Sequence, residues 1–130
     1  MNLSAIDVGP MQRSVLIVDD ETNLLVLLDS VLSKEGFQVS TASNAYEALE
    51  IFDHGRFNIA ILDIKMFPVG GVVLLAEIKK RSPSTQVVMI TAYPTADTRN
   101  ECLRFGAADY LTKPLDIQTL TTVVRNLVEL

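Results

Sequence analysis

Residues 14–21 read SVLIVDDE. Val15, Leu16, Ile17 and Val18 offer no polar residue at alternate positions. A strand here is apolar on both faces, and such a strand belongs inside a parallel sheet covered by helices on both sides. The run then stops at Asp19, Asp20 and Glu21, three acids that repel one another. Folding alone gives no reason to end a buried strand in a cluster of like charge.

Working outward, the pattern repeats. Short apolar runs occur at FQVST (37–41), IAIL (59–62), VVMI (87–90) and DYLT (109–112). The second and third of these are, like VLIV (15–18), apolar without alternation. FQVST alternates and suits an edge strand. Stretches of helical spacing fill the gaps. The first covers 22–35 and is closed by Gly36. The second covers 44–54, where Ser43 or Asn44 can cap and Asn44 with Glu47 resembles a capping box. A third covers 71–81. A fourth covers 95–105, started by Pro94 and stopped by Gly106. The fifth covers 117–129, with Ile117, Leu120, Val123, Val124, Leu127 and Val128 on one stripe. Five βα units predict an α/β fold: a doubly wound, five-stranded parallel sheet with helices on both faces. Residues 1–12, mixed around Gly9 and Pro10, read as a flexible N-terminal tail, leaving 13–130 as one domain.

The bulk composition narrows the function. A chain of 130 residues that is 48% hydrophobic can fill one core. Its net charge of -5 favours a cation or a basic surface over the phosphate backbone of a nucleic acid. One cysteine, Cys102, excludes an internal disulfide and fits a reducing compartment. One Cys and one His cannot build a structural zinc cage. The N-terminus lacks the basic start and apolar core of a signal peptide, and no apolar run reaches the ~20 residues of a membrane span. A cytoplasmic domain without membrane attachment is expected.

In a doubly wound sheet, ligands bind outside the carboxyl ends of the strands. There the first strand ends in Asp19-Asp20, the third in Asp63 and the fourth in Thr91, while the short fifth leads to Lys113-Pro114. Taken singly, each acid reads as a helix cap or a solvated loop residue. Taken together, they converge on one edge if strands one, three, four and five are neighbours. Three carboxylates in one crevice call for positive charge among them. Hard oxygen donors suit Mg²⁺, which keeps several waters and needs few carboxylates. Lys113 adds a further cation.

With VDDE after the first strand, ILDIKM at the third, ITAY at the fourth and GAADYLTKP at the fifth, residues 13–130 resemble a response-regulator receiver domain of two-component signalling, a flavodoxin-like fold. The resemblance implies roles. Asp63 would be the phosphoacceptor, a nucleophile toward phosphohistidine. Asp20 and Asp63 would bind Mg²⁺ directly, Asp19 through water, and the backbone carbonyl of Lys65 would supply another ligand. Lys113 would hold a phosphoryl oxygen. Thr91 would donate its hydroxyl to another, near the backbone N–H of Ala92. Tyr110 would change position with Thr91, and the Lys113-Pro114 bond would be cis. Lys65 and Tyr93 would flank the path of hydrolytic water. The implied partner is a sensor histidine kinase or a histidine phosphotransfer protein. Output, or a homodimer contact, would use the fourth helix, fifth strand and fifth helix. Such a chain catalyses only its own phosphorylation and dephosphorylation. The chemistry agrees: phosphoryl transfer is largely positioning and charge neutralisation, and a carboxylate is already ionised at neutral pH.

Alternatives of other classes fit less well. A haloacid-dehalogenase-like phosphatase wants a second Asp two residues after the nucleophile, where Lys65 stands, and the chain has no cap insertion. A flavodoxin-like binding protein wants a Gly/Ser/Thr-rich phosphate loop after the first strand, where this chain has acids. One departure from the receiver pattern is Phe67, four residues after Asp63, where proline is usual; Pro68 follows it, and Gly71 matches. Phe67 is either buried under its loop or an exposed partner contact. His54 is expected at the surface near the end of the second helix, and Cys102 as a packing residue. Leu24 to Leu28 exceed one buried stripe, so part of that helix could form a docking face for the phosphodonor. No output domain is visible after the fifth helix, so the chain reads as a stand-alone regulator or a piece of a longer one.

Overall fold

The computed structural model describes residues 13–128. The N-terminal tail expected over 1–12 lies outside the described residues, as does position 129 of the fifth helix. The elements run β1 (Arg13–Val18), α1 (Thr22–Lys34), β2 (Phe37–Ala42), α2 (Ala45–Asp53), β3 (Ile59–Asp63), α3 (Gly71–Arg81), β4 (Gln86–Thr91), α4 (Ala96–Arg104), β5 (Asp109–Thr112) and α5 (Ile117–Val128).

All strand pairs are parallel, in the order β2-β1-β3-β4-β5. The expected five-stranded doubly wound sheet holds, with FQVST on an edge. The unbroken apolar runs are explained by two cores. Leu16, Val18, Ala60, Leu62, Val87 and Met89 face α2, α3 and α4 through Ala48, Phe52, Leu74, Leu75, Ile78 and Cys102. Their neighbours Val15, Ile17, Ile59, Ile61, Val88 and Ile90 face α1 and α5 through Leu25, Leu28, Leu32, Leu120 and Val124. Each of these residues of β1, β3 and β4 therefore has a helix above or below it, and every residue of β3 is buried. At about 1.5–3 kcal/mol for each large side chain fully buried, these layers dominate stability.

The helix ends refine the expected boundaries. Gly36 and Gly106 follow α1 and α4 at φ 97° and 99°, the left-handed region that lets a helix stop. Asn44 caps α2 by accepting the Glu47 N–H at 2.9 Å, but the Glu47 carboxylate reaches back to Ser43 N–H (2.7 Å), not to Asn44. Pro94 does not start α4. Thr95 is the N-cap, because its hydroxyl accepts the Thr98 N–H, so the helix begins one residue later than the proline implies.

Of the apolar excess on α1, Leu25, Leu28 and Leu32 are buried while Val26 and Leu27 are exposed. His54 is the exposed C-cap of α2, its Nδ1 2.8 Å from the Glu50 carbonyl. Cys102 is fully buried, and burial pushes its thiol pKa up, so it packs as a small apolar residue. Among the described residues, no helix is long and apolar enough to cross a membrane.

Candidate functional site

The carboxyl ends of β1, β3 and β4 lie side by side, since Val18 pairs with Leu62 and Asp63 with Ile90. Asp19 and Asp20 follow β1, Asp63 ends β3 and Thr91 ends β4. β5 pairs with β4 through Thr91 and Thr112, and Lys113 N–H donates to the Thr91 carbonyl at 2.7 Å. Lys113 is thereby fixed at the same edge. Both Lys113-Pro114 and Phe67-Pro68 are cis.

The structure brings Asp19, Asp20 and Asp63 together: one carboxylate oxygen from each lies within 4.8 Å of the others. Asp19 is fully buried. Its Oδ1 accepts the Glu21 N–H at 2.8 Å. Its Oδ2 stands 2.9 Å from Lys113 Nζ, in an orientation that gives an ion pair without a directed hydrogen bond. Asp63 is 4% exposed, and Lys113 Nζ is 3.6 Å from its Oδ2. Asp20 is exposed. A buried oxygen lacking a directed hydrogen bond, beside two more hard oxygen donors, fits a small divalent cation that keeps part of its water shell.

The electrostatics follow from this packing. Burial, then the charge of Asp19, raises the Asp63 carboxyl to about 6; Lys113 and a hydrogen bond from the Lys65 backbone pull it back, and Asp20 adds a smaller upward push. Burial pulls Lys113 down, but Asp19, Asp63 and Glu21 outweigh it and hold the ammonium above the ordinary lysine value. At neutral pH the crevice therefore contains one cation among several carboxylates.

Gly71 positions the Asp63 backbone. A Cβ there would lie 2.0 Å from the Asp63 carbonyl oxygen, so only glycine lets α3 start this close to β3. Gly71 N–H also donates to the Ile64 carbonyl at 2.9 Å. The glycine eight residues after Asp63 is thus a packing requirement of this edge. Phe67, in the same loop, is 87% exposed, which removes the alternative of a ring buried beneath it.

Thr91 is buried, and its Oγ1 accepts the Tyr93 N–H at 3.0 Å; Ala92 is exposed. Tyr110 is also buried, its ring turned into the core below α4. Lys65 places its ammonium 5.6 Å from the centre of the Tyr93 ring, and Tyr93 is exposed.

Two features escape sequence reasoning. Glu21 reaches Lys113, Oε1 to Nζ 3.6 Å, although the order VDDE marks it only as a third acid. An apolar groove of about 410 Å³ runs between α1 and the loop before α5, lined by Leu24, Leu27, Pro114, Leu115 and Ile117, with Lys113 and Glu21 in its wall. The excess of leucines on α1 was its only trace.

Comparison with known proteins locates the fold. The family model of the response regulator receiver domain matches residues 15–125. The transcriptional regulatory protein ZraR of Klebsiella oxytoca is 39% identical over 109 residues, 84% of this chain and 25% of its own length. The chain thus spans about a quarter of that relative. Sporulation initiation phosphotransferase F of Bacillus subtilis is 33% identical over 115 residues, 88% of this chain and 93% of its own. A CheY-like receiver domain structure from Methanospirillum hungatei superposes with a TM-score of 0.87 at 31% identity, covering 89% of this chain and 93% of that one. None of these favours the phosphatase or the flavodoxin-like alternative.

Proposed function

The chain belongs to the response regulator receiver domain family of two-component signalling, and on that premise we propose that Asp63 accepts a phosphoryl group from a phosphohistidine donor. The observation that carries this reading is the buried Asp63 carboxylate facing Lys113 across 3.6 Å, with Asp19 and Asp20 beside it.

The step is a displacement at phosphorus. An Asp63 carboxylate oxygen forms the new O–P bond, the P–N bond breaks, and its electron pair stays on the donor imidazole. Asp63 needs no general base: with its carboxyl at about 6, about nine-tenths is ionised at pH 7. Lys113 neutralises the arriving phosphoryl oxygens, which lets an anion attack an anion. Thr91 and the backbone N–H of Ala92 supply further hydrogen bonds to those oxygens. Mg²⁺ would be held by Asp20 and Asp63, by Asp19 through water and by the Lys65 backbone carbonyl; when bound it neutralises charge on the transferring phosphoryl group. The chain acts only on its own phosphorylation state.

Receiver domains work with histidine kinases or phosphotransfer proteins. For this chain, the groove beside Lys113 supports docking of a donor helix along α1, which would bring a phosphohistidine to Asp63. The α4–β5–α5 face would carry output or a homodimer contact, through Thr91 and Tyr110 as the switch. Net charge -5 supports protein partners over direct nucleic-acid binding. A cytoplasmic site of action matches the lone reduced cysteine. Exposure to acetyl phosphate with Mg²⁺, then with EDTA, tests the reading: intact mass should show one added phosphoryl group only with the metal.

A further inference from the structure

Glu21 stands at the N-cap of α1 with extended backbone (φ -92°, ψ 100°), yet its side chain makes no capping bond. Ser, Thr, Asp and Asn cap well, because a short side chain folds back onto the N–H groups of the first turn. The glutamate backbone is nevertheless fixed. Its N–H donates to Asp19 Oδ1 at 2.8 Å, and its carbonyl accepts the Leu24 and Leu25 N–H groups at 3.1 and 3.2 Å. The carboxylate, left out of the cap, turns to Lys113, Oε1 to Nζ 3.6 Å.

Three carboxylates surround that ammonium: Asp19 at 2.9 Å, Asp63 at 3.6 Å and Glu21 at 3.6 Å. They differ in what else claims them. Asp19 and Asp63 belong with Asp20 to the cluster that suits a divalent cation, and Glu21 stands outside it. They differ in burial as well. The side chains of Asp19 and Asp63 are 0% and 5% exposed, and that of Glu21 is 60% exposed. The Lys113 backbone is pinned to the Thr91 carbonyl, but the flexible stem lets the ammonium move. A phosphoryl oxygen arriving on Asp63 needs this ammonium, so one carboxylate has to give way. Glu21 is the one that can return to water at little cost.

We propose that Glu21 is a positioning residue that restrains phosphoryl transfer: its carboxylate holds the Lys113 ammonium in the resting crevice, and the incoming phosphoryl group must displace it. The proposal rests on the phosphoacceptor reading of Asp63. Glu21 bonds to neither phosphorus nor metal and acts through the lysine. Removing it frees the ammonium for the phosphoryl oxygens. Removing it also takes one negative charge from the path of an anionic donor. The two effects are separable, because the first needs contact with Lys113 and the second needs only charge at the rim.

Glu21→Gln removes the charge. Glu21→Asp keeps it on a side chain one methylene shorter, which favours capping α1 over reaching Lys113. With Mg²⁺, both variants should be labelled about two- to fivefold faster than wild type, the worth of one exposed ion pair. The gain should be equal with acetyl phosphate, a dianion at neutral pH, and with phosphoramidate, a monoanion. In the metal-free protein, the Lys113 ammonium protons, followed by lysine-selective nitrogen NMR, should exchange faster in both variants. A role in capping alone would not move that signal. Slower labelling of Glu21→Gln overturns the proposal, and so does unchanged ammonium exchange. Glu21→Asp labelled at the wild-type rate, or a gain confined to acetyl phosphate, leaves only charge at the rim and overturns it too. If wild type takes no phosphoryl group from either donor, the phosphoacceptor reading fails and the competition for Lys113 fails with it. Wild type that is labelled, beside a Glu21→Gln variant that is no faster, overturns the competition alone.

Discussion

The Lys113 ammonium stands 3.6 Å from Asp63 Oδ2, reaching across β4 from the loop after β5 to the end of β3. The lysine lies 2.9 Å from Asp19 as well, so one cation ties the ends of three strands together. Lys113→Met keeps the length of the side chain and removes the charge. The Asp63 carboxyl should then rise above about 6, because its main favourable charge is gone. Labelling by acetyl phosphate should slow on the order of tenfold or more. Carbon-detected titration of Asp63 and a labelling time course check both; an unmoved carboxyl would separate Lys113 from the site.

Charge strain in the metal-free crevice has a defined pH signature. Asp63 titrates at about 6 in the fold against 3.8 in the unfolded chain, so the native state binds more protons between these values. Stability from this group is highest below about pH 4, falls as pH rises to about 6, and is flat above. Asp63→Asn should therefore be more stable than wild type in EDTA at pH 7, by about 3 kcal/mol at most. The gain should vanish near pH 4. Asp20→Asn, at an exposed position, should give a smaller gain and chiefly weaken Mg²⁺ binding. Urea melts at both pH values test this; a mutant less stable at pH 7 contradicts a shared acid crevice.

Lifetime of the phosphorylated state should follow from Lys65 and Tyr93. Their cation–π contact, 5.6 Å from ammonium to ring centre, brings two bulky groups together beside the acceptor loop. Neither side chain is a carboxylate or amide that could orient attacking water. Decay should take minutes or longer. Lys65→Asn with Tyr93→Glu removes the contact and supplies polar groups, and should accelerate loss. Following the phosphorylated mass after donor removal checks it, and decay within seconds in wild type would show that the pair shields nothing.

Thr91→Ala should still be labelled, since its hydroxyl is not the nucleophile. It should lose the amide shift changes over residues 95–110 on adding beryllofluoride. A full response in the mutant would route the coupling elsewhere.

The fold was legible because sheet burial leaves its mark on every strand. VLIV, IAIL and VVMI lack alternation since helices cover both faces, and FQVST alternates since it lies at an edge. The acid edge was legible because parallel topology carries all strand ends to one side. What depends on side-chain reach was not. Glu21 touching Lys113, Lys65 over Tyr93 and Tyr110 bonded to Thr98 join residues whose separations, 92, 28 and 12, match no local period. The start of α4 was misread because proline sets φ, while a threonine hydroxyl satisfies an N–H and so fixes the cap. Phe67 could not be placed at all, since loop conformation decides whether an aromatic ring finds cover.

The central claim is that Asp63 takes the phosphoryl group. Intact mass after acetyl phosphate and Mg²⁺, run on wild type and Asp63→Asn side by side, tests it most directly. Wild type should gain one phosphoryl group and the mutant none. Labelling of the mutant to the wild-type extent would contradict the account.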